Sequence, residues 1–120
     1  MQVHNYEKLI VWQKSMEVVT KIYQITKEFP KEELYGLTSQ MRRCAVSIPS
    51  NISEGSRRRT QKDFAHFLTI SFGSGAELET QIKIAKNLKF VSIEEYEDIS
   101  EQLEEIMKML NVLIEKYSNV

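Results

Sequence analysis

The feature that most constrains the fold is the stretch from Tyr35 to Arg59, which reads YGLTSQMRRCAVSIPSNISEGSRRR. Its apolar and small residues recur in steps of three and four, which places them on one stripe of a helix. They are Leu37, Met41, Cys44, Ile48, Ile52 and Gly55. The serines, the asparagine and the proline of the same stretch are poor helix formers. A helix with a regular pattern and weak propensity must be held by its neighbours, so we predict that this stretch is the central helix of the fold.

A first helix is predicted from Leu9 to about Glu28, because apolar residues recur there at the same spacing. It stops at Phe29-Pro30, since the residue before a proline disfavours the helical region. The leading apolar stripe of this helix consists of Leu9, Trp12, Met16, Val19, Tyr23 and Thr26. A second set that widens the buried face consists of Val11, Val18, Ile22, Ile25 and Phe29.

The remaining helix boundaries follow from caps and breakers. The central helix runs from about Leu34 to Ser56, with a kink but no break at Pro49. Thr60 is predicted to cap a third helix that ends near Lys89-Phe90. Ser92 and Glu95 form a capping box that opens a fourth helix, which extends to Tyr117.

The middle of the third helix consists of unusually small residues, SFGSGA at positions 71–76. Such residues let another helix approach closely, and this offsets the low helix propensity of glycine. We therefore expect replacement of Gly73 or Ser74 by leucine to overpack this face and to lower stability by roughly 1–3 kcal/mol.

Four helices joined by short links predict an all-α protein, an antiparallel up-down-up-down four-helix bundle formed by residues 1–120 as a single domain. The single cysteine excludes an intrachain disulfide and favours a reducing, cytoplasmic setting. No apolar run approaches the ~18 residues of a membrane span, so no membrane partner is expected.

The two halves of the chain carry opposite charge, although the total is only -1. Residues 1–62 hold eleven Lys/Arg and six Asp/Glu, a net charge of +5, whereas residues 63–120 hold five and eleven, a net charge of -6. This polarity either steers an acidic partner to one end or lets subunits meet head to tail; the alternative is a mixed, solvated surface. Apolar residues outside the stripe of the fourth helix predict a subunit interface. They are Met107, Met109, Val112 and Ile114.

No residue pattern indicates catalysis, so the chain is predicted not to be an enzyme and to use no cofactor and no metal. His4 and His66 are far apart, and no Glu-x-x-His pair is present for a di-iron site. Cys44 lacks a histidine partner and is predicted to be a buried structural cysteine. Glu77 and Gln81 lie one turn apart, and they either join an internal polar network with Ser74 or Asn51 or occupy an exposed face.

Basic residues crowd the link between the second and third helices and recur about four turns earlier. Arginine forks match the geometry of phosphate groups, so these residues are the candidate nucleic-acid-binding site. They are Arg42, Arg43, Arg57, Arg58, Arg59 and Lys62. The alternative is a solvated helix end that complements the helix dipole. Aromatic residues do not interleave with this cluster, so base stacking is not indicated there.

Several motifs together resemble the four-helix-bundle family encoded in bacterial 23S rRNA intervening sequences. They are LIVWQ at 9–13, the Phe29-Pro30 stop, YGL at 35–37 with Gln40 and Arg42-Arg43, SIPSNI at 47–52 with Glu54-Gly55, and Gly73-Ser74 with ELETQ at 77–81. The likeness extends from about Tyr6 to Tyr117, and the SIPSNI stretch is its most specific part. Relatives more often carry alanine at Cys44 and Ser53 and a larger apolar residue at Gly75.

The resemblance implies an antiparallel four-helix bundle that assembles into a ring-like homopentamer. It also implies a distant likeness to the accessory variability proteins of diversity-generating retroelements, which are basic pentamers that bind nucleic acid and a reverse transcriptase. Our first hypothesis is therefore a non-enzymatic homopentamer that binds structured RNA or DNA. The alternative is a protein-interaction scaffold without nucleic-acid binding, which the near-neutral charge and a pI of about 6.1 favour.

Overall fold

The protein is described by a computed structural model that covers residues 5–119. It contains four long helices, which are α1 (Ile10–Thr26), α2 (Leu37–Ser56), α3 (Gln61–Asn87) and α4 (Ile93–Ser118). Short 3₁₀ turns, Tyr6–Lys8 and Lys31–Glu33, precede α1 and α2, and no strand occurs between residues 5 and 119. Each helix packs against the next, and α1 also packs against α4, whereas no Cα atoms of α2 and α4 lie within 8 Å of each other. The predicted all-α fold of four packed helices is confirmed.

The stripe predicted for α2 and the stripe with the same spacing on α3 are both buried. The α3 stripe consists of Phe64, Leu68, Ser71, Gly75, Leu78, Ile82 and Ala85. Every member of the α2 stripe is buried, including Met41, Ile48 and Ile52, which are fully enclosed. The α3 stripe is buried throughout as well, from Phe64 to Ala85. These helices bury an apolar stripe against their neighbours, and that burial compensates for the weak helix propensity of the serines, Asn51 and Pro49. Helix α2 continues past Pro49 without a break, as predicted.

The leading stripe predicted for α1 is only partly buried. Thr26 is buried, and Leu9, Trp12 and Val19 are half-buried against the core. Met16 and Tyr23 are 41% and 40% exposed, whereas Val18 and Ile22 of the second set are fully buried. The core-facing row of α1 is completed by Ser15, whose hydroxyl donates to a backbone carbonyl of its own helix. A buried serine that satisfies its hydroxyl locally is invisible to a search for apolar periodicity.

Helix α2 begins three residues later than predicted. The chain from Lys31 to Gly36 forms a 3₁₀ turn and a further turn before the helix starts at Leu37. The Glu33 carboxylate accepts a hydrogen bond from the backbone N–H of Leu37 at 3.2 Å. This acidic group thus satisfies one free donor of the first turn from outside the helix.

The other helix ends agree with the predicted caps. The Thr60 hydroxyl accepts from the backbone N–H of Asp63 at 3.0 Å, and Ser92 and Glu95 form both hydrogen bonds of a capping box. Helix α3 ends in a left-handed residue, Lys89 with φ of 63°, and the following N–H of Phe90 donates to the carbonyl of Ala85 at 2.9 Å. This is the hydrogen-bond pattern of a Schellman motif.

Two of the glycines mark places where helices approach closely. A Cβ atom at Gly55 would lie 2.6 Å from Cβ of Phe67 on α3, and one at Gly75 would collide with Met107 on α4. Gly73 differs, because nothing lies within 4 Å of a Cβ placed there. The expectation that Gly73→Leu overpacks the third helix is therefore wrong, and the close approach predicted for the small residues belongs to Gly75.

Candidate nucleic-acid interface

Arg57, Arg58 and Arg59 lie between α2 and α3, and Lys62 lies in the first turn of α3. We name these four residues the basic turn, and all four side chains are exposed. Helix α2 ends at Ser56 and α3 begins at Gln61, so only four residues separate the helices. Cationic residues complement the negative end of the α2 dipole, which favours their position after Ser56. The structure thus brings together four of the six residues that the sequence predicts to bind nucleic acid.

Aromatic rings support two of these arginines. The guanidinium of Arg58 lies 4.6 Å from the ring centre of Phe67 and donates to the Glu54 carboxylate at 2.7 Å. The guanidinium of Arg57 lies 5.6 Å from the ring centre of Tyr6. Contact with a ring face limits the orientations of an arginine while its N–H groups remain free to bind an anion. Neither contact was predicted from the sequence, although Phe67 lies only two turns after the N-cap of α3.

The structure separates the two arginines in the middle of α2. Arg42 is half-buried against α1, where its Nε donates to the Thr26 hydroxyl at 2.9 Å and its guanidinium covers the ring of Tyr23 at 4.7 Å. Arg43 is exposed and lies on the side of α2 that faces α3. Arg42 is therefore engaged within the subunit, and Arg43 is the member of this pair that shares a surface with α3.

Arg43 and the basic turn lie on one continuous surface, which we name the α2–α3 face. Its residues are spaced by three and four on each helix, so they lie on one side of that helix. Along α2 and the link after it they are Gln40, Arg43, Ser47, Asn51, Glu54 and Arg58. Along α3 they are Phe67, Ile70, Ser74, Glu77 and Gln81. A hydrogen bond of 2.8 Å between the Ser47 and Ser74 hydroxyls joins the two helices at its middle. Fifteen residues at 1.5 Å each separate Arg43 from Arg58, a distance of about 22 Å.

A polar cavity of about 510 Å³ opens at the Arg43 end of this face. It is lined by Tyr35, Ser39, Gln40, Arg43, Cys44, Glu77 and Gln81. The Cys44 thiol donates to Oε2 of Glu77 at 3.4 Å and accepts from the Gln81 amide at 3.4 Å. Gln81 is only 9% exposed, and its amide oxygen has no hydrogen-bond partner within residues 5–119.

These contacts decide between the two readings of Glu77 and Gln81. Gln81 is buried and Glu77 is exposed, and the side chain that connects them is Cys44. Ser74 and Asn51 belong to a separate network around Ser47. The expected internal network therefore exists in part, with different members.

The thiol at the floor of the cavity is held in its neutral form. Burial raises the pKa of Cys44 above its ordinary value of 9.0, and the hydrogen bond to the Glu77 carboxylate raises this pKa further. The predicted burial of Cys44 is confirmed, because the residue is 9% exposed, and its raised pKa is opposite to the lowered pKa of a reactive cysteine.

Metal ligands and membrane-spanning helices were also sought within residues 5–119. No group of three or more histidine, cysteine or acidic side chains is placed to hold a metal ion there. His66 is exposed on α3 beside Phe67, and His4 lies outside the described residues. None of the helices in this range combines the length and the apolarity that a bilayer crossing requires.

Comparisons with known proteins agree with this fold. A crystal structure of a protein of unknown function from the S23 ribosomal protein family of Bacteroides thetaiotaomicron is similar, with a TM-score of 0.81 and 27% sequence identity. The similarity covers 88% of this chain and 96% of that one. No curated protein matches the chain. The model of the 23S rRNA-intervening sequence protein family matches residues 7–112, and the chain therefore belongs to that family.

Proposed function

We propose that this chain is a non-enzymatic bundle protein that assembles with itself and binds structured RNA or DNA through the basic turn and Arg43. The resemblance to the family implies a homopentameric ring, and we adopt that assembly as part of the proposal. The observation that carries the nucleic-acid part is the basic turn itself, in which four exposed cations lie within six residues at one end of the bundle.

The chemistry of the turn suits a phosphate backbone. An arginine guanidinium forms two parallel hydrogen bonds with phosphate oxygens. The rings of Tyr6 and Phe67 contact the guanidinium groups of Arg57 and Arg58 and hold them at the surface. Glu54 neutralises part of this charge at Arg58, so the net charge of the turn and its neighbouring Glu54 is +3. A ring of subunits would repeat the turn around the assembly and multiply its attraction for phosphates.

The distribution of charge separates two surfaces of one subunit. Helix α4 carries eight acidic residues and two lysines, whereas the stretch from Leu37 to Lys62 carries six cations and one acid. These two elements occupy opposite corners of the bundle, because no Cα atoms of α2 and α4 lie within 8 Å of each other. The acidic surface of α4 therefore lies away from the basic turn, where it does not repel a bound phosphate backbone.

An apolar groove on the α1–α4 side supports assembly of the chain with itself. It encloses about 450 Å³ and is lined mostly by Leu9, Ile10, Val11, Met109, Val112 and Leu113. Ile10 and Val112 are 59% and 67% exposed, which is unusual for such large apolar side chains. Two of the four residues predicted to form a subunit interface, Met109 and Val112, line this groove.

The test of nucleic-acid binding is fluorescence polarisation with a labelled RNA hairpin and a DNA duplex over a salt series. The logarithm of the binding constant should fall linearly with the logarithm of salt concentration, with a slope of about -0.9 for each phosphate neutralised on duplex DNA. The triple variant Arg57→Glu, Arg58→Glu, Arg59→Glu should bind at least about tenfold more weakly and show a smaller slope.

A control with the same change in net charge is Lys27→Glu, Lys31→Glu, Lys89→Glu. These three lysines are exposed at the opposite end of the bundle. Equal losses of affinity in both triple variants would show that overall charge, and not the basic turn, governs binding. Absence of salt-dependent binding by the wild-type protein would refute the nucleic-acid proposal altogether.

The alternative function is a protein-interaction scaffold, which the apolar groove favours. Val112→Glu places a charge in the groove without disturbing the core, because the side chain already faces solvent. If the groove joins subunits, this variant should sediment as a smaller species than the wild-type protein. If the oligomer is unchanged and RNA and DNA are ignored, a different protein is the better candidate for the groove.

A further inference from the structure

We propose that the cavity at the Arg43 end of the α2–α3 face binds an unpaired guanine base of the nucleic-acid ligand. This inference rests on the proposed function and adds a base-recognition site to a surface that otherwise contacts phosphates. The cavity is lined by the exposed side chains of Glu77, an acceptor, and Arg43, a donor, and Gln81 forms part of its wall with its amide oxygen buried.

The acceptors are available to a ligand. Glu77 is exposed, and among residues 5–119 its carboxylate takes part in no ion pair. Its Oε2 atom accepts only the weak donor of Cys44, which leaves most of its accepting capacity unused. The Gln81 amide oxygen has no partner among residues 5–119 and is shielded from solvent, so it contributes to the site only when a ligand turns the Gln81 side chain toward the cavity. A buried acceptor without a partner is unfavourable, and a bound donor would remove that penalty.

Flat groups at the rim suit the faces of a base. Tyr35 lines the cavity and is 93% exposed, so its ring is open to a stacking partner. The guanidinium of Arg43 is planar as well and stacks on aromatic systems. Proteins that read single-stranded RNA commonly stack unpaired bases on aromatic side chains and arginine planes and bond their Watson–Crick edges.

Hydrogen-bond chemistry selects guanine among the bases. The Watson–Crick edge of guanine presents two adjacent donors, N1–H and the exocyclic amino group, which match the two oxygens of one carboxylate. Adenine and cytosine have an acceptor nitrogen beside their amino group, and uracil has one N–H between two carbonyls. In each of these bases an acceptor would face an oxygen of the Glu77 carboxylate, and two acceptors repel each other. The carbonyl at position 6 of guanine then accepts from a donor such as Arg43. The backbone attached to the base would follow the α2–α3 face toward the basic turn about 22 Å away.

The experiment compares a labelled short oligouridylate with the same oligomer carrying a single guanosine, by fluorescence polarisation at fixed salt. The oligomer with guanosine should bind at least about tenfold more tightly, the discrimination expected of one bidentate base contact. Glu77→Gln should abolish this preference and leave the weaker binding of oligouridylate in place. Glu79→Gln is the matched control, since it makes the same charge change two residues away on another side of α3, and it should keep the preference.

The outcomes separate this inference from the proposed function. Salt-dependent binding of structured RNA with equal affinity for both oligomers would overturn the guanine site alone. Guanosine 5′-monophosphate that slows alkylation of Cys44, combined with no binding of structured RNA or DNA, would support the cavity and refute the nucleic-acid function. Equal affinity of wild type and Glu77→Gln for the oligomer with guanosine would overturn the role assigned to the carboxylate.

Discussion

Gly55→Ala is the substitution that most directly tests the packing of α2 on α3. In an exposed helix interior, this change stabilises a protein by roughly 0.8–1.0 kcal/mol, because alanine is the better helix former. At Gly55 the added Cβ would lie 2.6 Å from Cβ of Phe67 and 3.0 Å from Cδ1 of Phe64. Cβ of Phe67 is fixed to the α3 backbone and cannot turn aside as the end of a flexible side chain does.

The sign of the effect therefore depends on which contribution is larger. Overpacking in a well-packed region destabilises by roughly 1–3 kcal/mol, and contact with a backbone-fixed atom belongs at the upper end of that range. After subtraction of the helix-propensity gain, we expect Gly55→Ala to lower the free energy of unfolding by about 1–2 kcal/mol. An unfolding entropy of about 2.1 cal/mol/K per residue converts this loss to a decrease in Tm of about 4–8 °C.

Gly73→Ala is the matched control within the neighbouring helix. It makes the same chemical change at an exposed position of α3 where nothing lies within 4 Å of the new Cβ. Only the propensity gain remains, so we expect Tm to rise by about 3–4 °C. Thermal unfolding followed by circular dichroism measures both variants, and equal protein concentration is required because self-association would make Tm depend on concentration.

The reasoning fails if Gly55→Ala melts at or above the wild-type temperature while Gly73→Ala behaves as expected. That result would show that α3 moves away from α2 at little cost and that the close approach at Gly55 does not constrain the basic turn. A Gly73→Ala variant that melts below the wild type would instead show that the Gly73 side of α3 is covered, for example by another subunit.

Three further predictions test individual contacts. Glu77→Gln should lower the pKa of Cys44 toward 9.0, because it removes the carboxylate that stabilises the neutral thiol, and the pH profile of its reaction with an aromatic disulfide should shift to lower pH. Ser71→Ala should reduce stability by about 1 kcal/mol, since the Ser71 hydroxyl donates to the buried carbonyl of Ile48 across the α2–α3 contact at 2.9 Å, and urea unfolding measures this loss. Ser92→Ala should remove the capping box of α4 and lower stability by roughly 0.5–2 kcal/mol, visible in the same urea titration without a change in slope.

The four helices could be predicted from the sequence because the spacing of apolar residues and the capping residues agree over long segments. Spacing alone failed at α1, where two apolar rows compete and both are long enough to describe a helix. The row that is buried includes Ser15, and the row that looked stronger leaves Met16 and Tyr23 partly exposed. Which of two rows faces the core depends on the neighbouring helices, and a single helix sequence does not contain that information.

The candidate site was predictable in its charges and not in its geometry. The basic turn follows from three consecutive arginines between two helices, whereas the contact of Arg58 with Phe67 depends on the angle at which α3 leaves the turn. Adjacent arginines in α2 diverge because successive helical residues are rotated by about 100°, so Arg42 meets α1 while Arg43 meets α3. The cavity combines residues 37 positions apart in Cys44 and Gln81, a relation that only the packed helices establish.

The residues proposed to bind nucleic acid and those that stabilise α2 lie on different sides of the same helix. Helix α2 has weak intrinsic propensity and is held by buried residues such as Ile48 and Ile52, while the arginines of the basic turn are exposed. Surface substitutions away from packed features usually change stability by less than about 0.5 kcal/mol. Charge reversal of the three arginines should therefore change affinity for nucleic acid while Tm falls by no more than about 6 °C, three times the limit for a single surface substitution. A large loss of Tm in that variant would mean that the rings under Arg57 and Arg58 serve mainly to hold the bundle end together, and the turn would lose its assignment as a binding surface.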